Sequence, residues 1–173
     1  MAGLPIRKRG APFEGSHPGR AAVAILEIVF YIVWIGSLSG IAFVAAPAAF
    51  AHASAQDAGA IVGTSLRALT WVAWICGGLA LIIWLSRIPT EGRTALIGAA
   101  LIAIAIASTD YAQGSIAPRM DAIVAQLPGP IDSLPKGDAR RQTFDALHRR
   151  STEVYGVVLV CGFMAAALSA VRR

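Results

Sequence analysis

Few side chains in this chain can do chemistry, and five of them, His52, Asp57, Asp110, Tyr111 and His148, stand next to the ends of apolar runs. His and Asp together bind a transition metal or relay protons. His148, His52 and Asp110 are therefore the candidate metal ligands, with His148 the first choice. The competing reading is a hydrated rim, in which each group reaches water, Asp145 satisfies His148 and His52 sits in a loop. Glu27 falls about six residues into the first apolar run, where it is either a cation or proton ligand or a side chain reaching the cytoplasmic interface. Glu153 repeats that choice at the start of the last run, with Arg149 and Arg150 beside it. Cys76 and Cys161 fall near the middle of their runs. Thiolates there suit soft Cu(I), whereas buried thiols commonly pack as small hydrophobes. No CxxC accompanies them, so neither zinc nor a redox dithiol is indicated.

Other chemistries lack their residues. There is no P-loop, GxGxxG, HExxH or GxSxG, which sets aside nucleotide binding, metalloprotease and lipase action. Haem is not expected, because a bundle would hold it between mid-depth histidines, and the third histidine, His17, is in the N-terminal tail. No nucleophile suitable for an intramembrane protease stands within a span. The chain reads as a non-enzyme.

The elements that must position these groups are four apolar runs, placed at about 21–46, 66–86, 94–112 and 152–171. Each is close to the ~20 residues an α-helix needs to cross a hydrocarbon core of roughly 30 Å. Of the 173 residues, 56% are hydrophobic and 14% charged, far from the balance of a soluble domain. The expected fold is an all-α integral membrane protein, a four-transmembrane-helix bundle forming one domain over 21–173, with a long helical loop between helices 3 and 4. Residues 1–20, with three prolines and four glycines, read as a flexible basic cytoplasmic tail. The first run is too long for the apolar core of a signal peptide and reads as an uncleaved span.

The net charge of +5 reflects membrane anchoring, not nucleic acid, because Arg7, Lys8, Arg9, Arg20, Arg87, Arg93, Arg172 and Arg173 flank the runs. Their distribution places both termini inside. The six basic residues of the third connection oppose that assignment, but the connection is long and holds four acidic residues.

Local signals refine the helices. Ser54-Ala55-Gln56-Asp57 fits a capping box, so helix 2 starts well before its apolar run and extends to about 30 residues. Trp71 and Trp84 are then expected near opposite interfaces, and helix 3 continues through Tyr111 towards Pro118. Met120, Ile123, Val124 and Leu127 suggest a short amphipathic helix lying on the interface and ended by Pro128-Gly129-Pro130. From Gly137 or Asp138 a last helix feeds into span 4, with Phe144, His148, Ser151 and Tyr155 on one face. Two GxxxG patterns, Gly36 to Gly40 and Gly59 to Gly63, and a stripe of Ala95, Ala99, Ala103 and Ala107 are expected to let backbones approach within the bundle, or to form a homodimer or larger membrane complex.

An ordered set of pieces runs through the chain: Val33-Trp34-Ile35-Gly36 to Ala46-Pro47 and Phe50, then Ala58-Gly59, then Tyr111 with Pro118-Arg119-Met120, then Phe144, Leu147, His148 and Ser151. Together they resemble the bacterial domain of unknown function 4149 family, related to eukaryotic transmembrane protein 205, over about residues 25–170. The set departs at Ser65-Leu66, where a Leu-Phe pair is expected before Arg67. The resemblance implies a four-span protein of a bacterial inner membrane, and for relatives it brings a link to metal handling. The expected function is transport or homeostasis of a small solute or a copper-like metal. The alternative is a non-catalytic structural or accessory subunit of a larger membrane complex. Lipid is the expected surrounding partner.

Overall fold

A computed structural model describes residues 18–171. Most of the expected 1–20 tail, with Arg7, Lys8, Arg9 and His17, lies outside the described residues, as do Arg172 and Arg173. The described residues form four helices long and apolar enough to cross a membrane: α1 (Ala21–His52), α2 (Ala55–Glu91), α3 (Arg93–Ala125) and α4 (Ala139–Val171). At 32, 37, 33 and 33 residues they are each about 50 Å long, so all four outrun a hydrocarbon core of roughly 30 Å. No strand occurs among the described residues.

Helix boundaries follow local chemistry. Ser54 holds an extended backbone and its hydroxyl accepts from the Asp57 N–H at 3.1 Å, while the same hydroxyl donates to Asp57 Oδ2 at 2.7 Å. The capping box therefore starts α2 where its residues indicate. Gly92 alone separates α2 from α3, at φ +55 and ψ −121, a conformation that L side chains rarely adopt. The expected connection over 86–93 is thus helical up to Glu91, because Pro89 falls near the end of α2 and removes a single backbone bond.

Four turns are wound as π-helix: Ile32–Gly36 and Ile41–Ala45 in α1, Ala73–Gly77 in α2 and Ala112–Ile116 in α3. Two of these precede Pro47 and Pro118. A proline denies the carbonyl four residues back its donor and crowds it, and a widened turn accommodates both effects without breaking the helix. Hence α3 passes through Pro118 to Ala125. Met120, Ile123 and Val124 complete its last turns and form no separate interfacial helix. The connection to α4 spans 126–138, with one 3₁₀ turn at Ile131–Ser133.

The α3 helix packs along α2 on one side and α4 on the other, while α1 lies on α2 and touches α4 more sparsely. The inward face of α3 runs Ala95, Gly98, Ala99, Ile102, Ala105 and Thr109. A strict four-residue stripe turns about 40° per step away from a fixed direction, which is why Ala103 and Ala107 are exposed. Close approach is made by other glycines than those of the two GxxxG patterns. A Cβ on Gly98 would strike the Trp84 ring, one on Gly162 would strike Ile35, and one on Gly77 would stand 2.8 Å from Trp34. Gly36, Gly40, Gly59 and Gly63 have nothing within 4 Å of such a Cβ, so none of them makes a close approach among the described residues. Trp84, expected at an interface, is fully buried, whereas Trp71 is exposed.

Candidate functional site

Two ends of the bundle differ. The terminal end carries the start of α1, the end of α2, the start of α3 and the end of α4; the loop end carries the 126–138 connection. At the terminal end, Glu27, Tyr31, Trp34, Ile35 and Leu38 repeat at helical spacing and form the inward stripe of α1. Glu27 is 0% exposed, so its carboxylate is turned into the bundle.

Its partner comes from α2. Because α1 and α2 are joined by a short connection they run antiparallel, and the start of one meets the end of the other. Arg87 Nη2 lies 2.8 Å from Glu27 Oε2. This is an ionic contact and not an aligned hydrogen bond: Oε2 is buried with no hydrogen-bond partner of acceptable geometry. The 2.8 Å separation is the firmer guide to the energetics, since Coulomb attraction depends on distance and only weakly on angle. The Arg87 guanidinium also lies 5.7 Å over the Trp84 ring, within cation–π range. Trp84 Nε1–H donates to Tyr31 Oη at 2.7 Å, and Tyr31 Oη–H points to Glu27 Oε1 at 3.5 Å, the long limit of a hydrogen bond. Four side chains thus close a ring between α1 and α2. Arg87 retains 22% side-chain exposure, so this cluster has one member that reaches the outside of the bundle.

Buried ion pairs of this kind combine large opposing terms, and leaving one partner alone costs about 3–5 kcal/mol. Chemically the cluster offers a buried carboxylate whose counter-charge comes from a partly exposed guanidinium.

The candidate metal ligands are placed separately. His52 is exposed at the end of α1, Asp110 is partly buried on α3, and His148 is exposed on α4 with its ring stacked on Phe144 at 6.4 Å. Among the described residues no three His, Cys, Asp or Glu gather in a group able to hold a metal ion. Cys76 and Cys161 are buried free thiols. Asp57 pairs with the Ser54 cap, Tyr111 faces the Arg150 guanidinium at 5.6 Å, and Tyr155 accepts from the Gln113 amide at 2.7 Å. The residue that sequence reasoning passed over is Arg87, treated as an anchor. Its signal was available: one charge just inside the start of span 1 and one at the end of span 2, in helices that must be antiparallel.

A second Arg–carboxylate pair stands at the loop end, Arg67 Nη2 to Asp121 Oδ2 at 3.3 Å between α2 and α3. Arg67 and Arg87 are twenty residues apart on one helix, about 30 Å, the thickness of a hydrocarbon core. The two pairs therefore stand about one hydrocarbon-core thickness apart along α2.

Fold and site together define a multi-pass α-helical membrane protein with an ion pair closed inside its terminal end. Residues 29–127 match the family model described as Domain of unknown function (DUF4149), more than half of the chain, and the chain belongs to that family. The match takes in Tyr31, Trp84, Arg87, Arg67 and Asp121, begins two residues after Glu27 and stops short of α4. No curated protein and no solved structure matches the chain.

Proposed function

We propose that this protein is a small-solute carrier of a bacterial inner membrane, non-enzymatic, in which Glu27 is the exchangeable cation or proton site and Arg87 its built-in competitor. The observation that carries this reading is a carboxylate with no exposure whose charged partner among the described residues, Arg87, is itself partly exposed. A solute cation or proton reaching Glu27 takes over its neutralisation. Arg87 then withdraws along its flexible stem towards the headgroups, and α1 loses its latch to α2. In this reading both termini face the cytoplasm. The basic residues of the long connection, which oppose that orientation, are partly neutralised locally: Arg140 pairs with Asp138, and Arg141 with Asp132. The metal form of the function needs His148, His52 and Asp110 to converge; exchange at Glu27 keeps the transport class without that ligand set.

Proteoliposomes loaded with a pH-sensitive dye test the proposal. Wild type, Glu27→Gln and empty vesicles are challenged with monovalent metal ions, divalent metal ions and organic amines. A cation-driven internal pH change present in wild type and lost in Glu27→Gln supports the carrier. Identical traces in all three vesicle types across the panel overturn it.

One observation favours a second reading, an accessory subunit: Gly36, Gly40, Gly59 and Gly63 leave open strips on α1 and α2 that suit close approach of a partner helix. Crosslinking from cysteines introduced at Gly36 and Gly59 in native membranes distinguishes a specific neighbour from lipid.

A further inference from the structure

The loop-end pair carries a proposal independent of the carrier. Arg67 and Asp121 form the mouth of a cleft of about 220 Å³ between α2 and α3, whose walls include Thr70, Trp71, Gln113 and Pro118. Their side chains are 65% and 62% exposed, so the pair is held weakly and opens readily to a competitor. Trp71 is 73% exposed beside them, a placement that suits the headgroup belt. One positive group, one negative group and an aromatic face stand side by side at the edge of the hydrocarbon slab. The arrangement complements a zwitterion with an anionic phosphate and a cationic ammonium a few ångströms apart.

The geometry points to a binding site for the headgroup of a zwitterionic, primary-ammonium phospholipid, with its phosphate on Arg67 and its ammonium between Asp121 and Trp71. The guanidinium fork matches phosphate oxygens, which a carboxylate alone cannot bind. The ammonium supplies N–H donors to the Asp121 carboxylate and positive charge to the Trp71 ring. A lipid, in preference to a free zwitterion, is indicated by what lies below the cleft: Trp74 and Ile75, one turn further into the slab, are exposed apolar side chains along which acyl chains can run. The net charge of the mouth is zero, so a purely anionic lipid would satisfy Arg67 and leave Asp121 repelled.

Native mass spectrometry of the detergent-purified full chain tests this, titrating phosphatidylethanolamine, phosphatidylcholine and phosphatidylglycerol separately. The expected result is one phosphatidylethanolamine retained at least about fivefold more strongly than either other lipid, about 1 kcal/mol of discrimination. Asp121→Asn should bring phosphatidylethanolamine down to the phosphatidylcholine level, and Arg67→Ala should weaken all three lipids. Both sites are exposed, so thermal melts of the variants should match wild type and separate lost binding from lost fold. Equal retention of the three lipids by wild type overturns the proposal, as does undiminished phosphatidylethanolamine retention in both variants. Displacement of the lipid by an equal concentration of soluble glycerophosphoethanolamine overturns the lipid assignment in favour of a free zwitterion.

Discussion

At one end of the bundle an Arg–carboxylate pair is sealed between helices; at the other the same two chemical groups face outward. Glu27–Arg87 is 2.8 Å long with 0% and 22% exposure, whereas Arg67–Asp121 is 3.3 Å long with both side chains more than half exposed. The groups are alike but the dielectric around them is not. Buried, the Glu27 carboxylate has lost its hydration and depends on Arg87, so leaving it unpaired is severe. Exposed, each is solvated by water or headgroups, and the pair is worth at most about 1 kcal/mol. The buried pair therefore organises α1 against α2, and the exposed pair is free to exchange partners.

The contrast is broken most directly at Glu27. Glu27→Ala should destabilise the protein by about 3–5 kcal/mol in reversible detergent unfolding, while a Glu27→Leu/Arg87→Met double variant should recover much of that loss. Failure of the double variant to recover would show that Tyr31 and Trp84 need the charges to pack. Next in size are the glycines that admit the bulky neighbours of this cluster. Gly98→Ala should cost about 1–3 kcal/mol by overpacking against Trp84, and Gly36→Ala, on an open face, should stay within about 0.5 kcal/mol in the same assay. Smaller still, Arg67→Ala or Asp121→Ala should cost less than about 1 kcal/mol, and the loss should shrink further in high salt.

The smallest effect lies at the start of α4 and is read by pH. Asp138 Oδ1 accepts from the Arg140 backbone N–H at 2.8 Å, and Oδ2 receives the Arg140 guanidinium at the same distance. The Arg140 side chain and then its backbone N–H hold the Asp138 carboxyl down at about 2, against an ordinary 3.8. A lowered carboxylate favours folding above its ordinary range, so the cap's contribution is complete above about pH 4 and is lost as pH falls through about 2. Amide exchange at Arg140 should accelerate over that window in wild type. Asp138→Asn should abolish the change in rate.

Much of the fold was legible because its causes are local. Four apolar runs imply four helices, since lipid leaves the backbone no other partners, and Ser54 to Asp57 announces the start of α2 through side chains three residues apart. The helices proved longer than their apolar cores because polar residues continue a helix as well as apolar ones do. Pro118 was harder to read: a proline marks a probable end, and the widened turn at Ala112–Ile116 that lets α3 continue leaves no plain mark in composition. The candidate cluster of His148, His52 and Asp110 rested on shared depth. Shared depth does not imply convergence, and among the described residues no three His, Cys, Asp or Glu gather in a group able to hold a metal ion.

By itself, then, the sequence determined the membrane class, the number of spans, the cap of α2 and the family, because hydropathy and capping act over a few residues. Which face of each helix turns inward was decided by tertiary packing alone. Glu27 is buried because Arg87 and Trp84 arrive from α2, and Gly98 matters while Gly36 does not because only one of them meets a tryptophan. A charge within an apolar run is satisfied by whatever its neighbours bring, and those neighbours are sixty residues away in the chain and a few ångströms away in space.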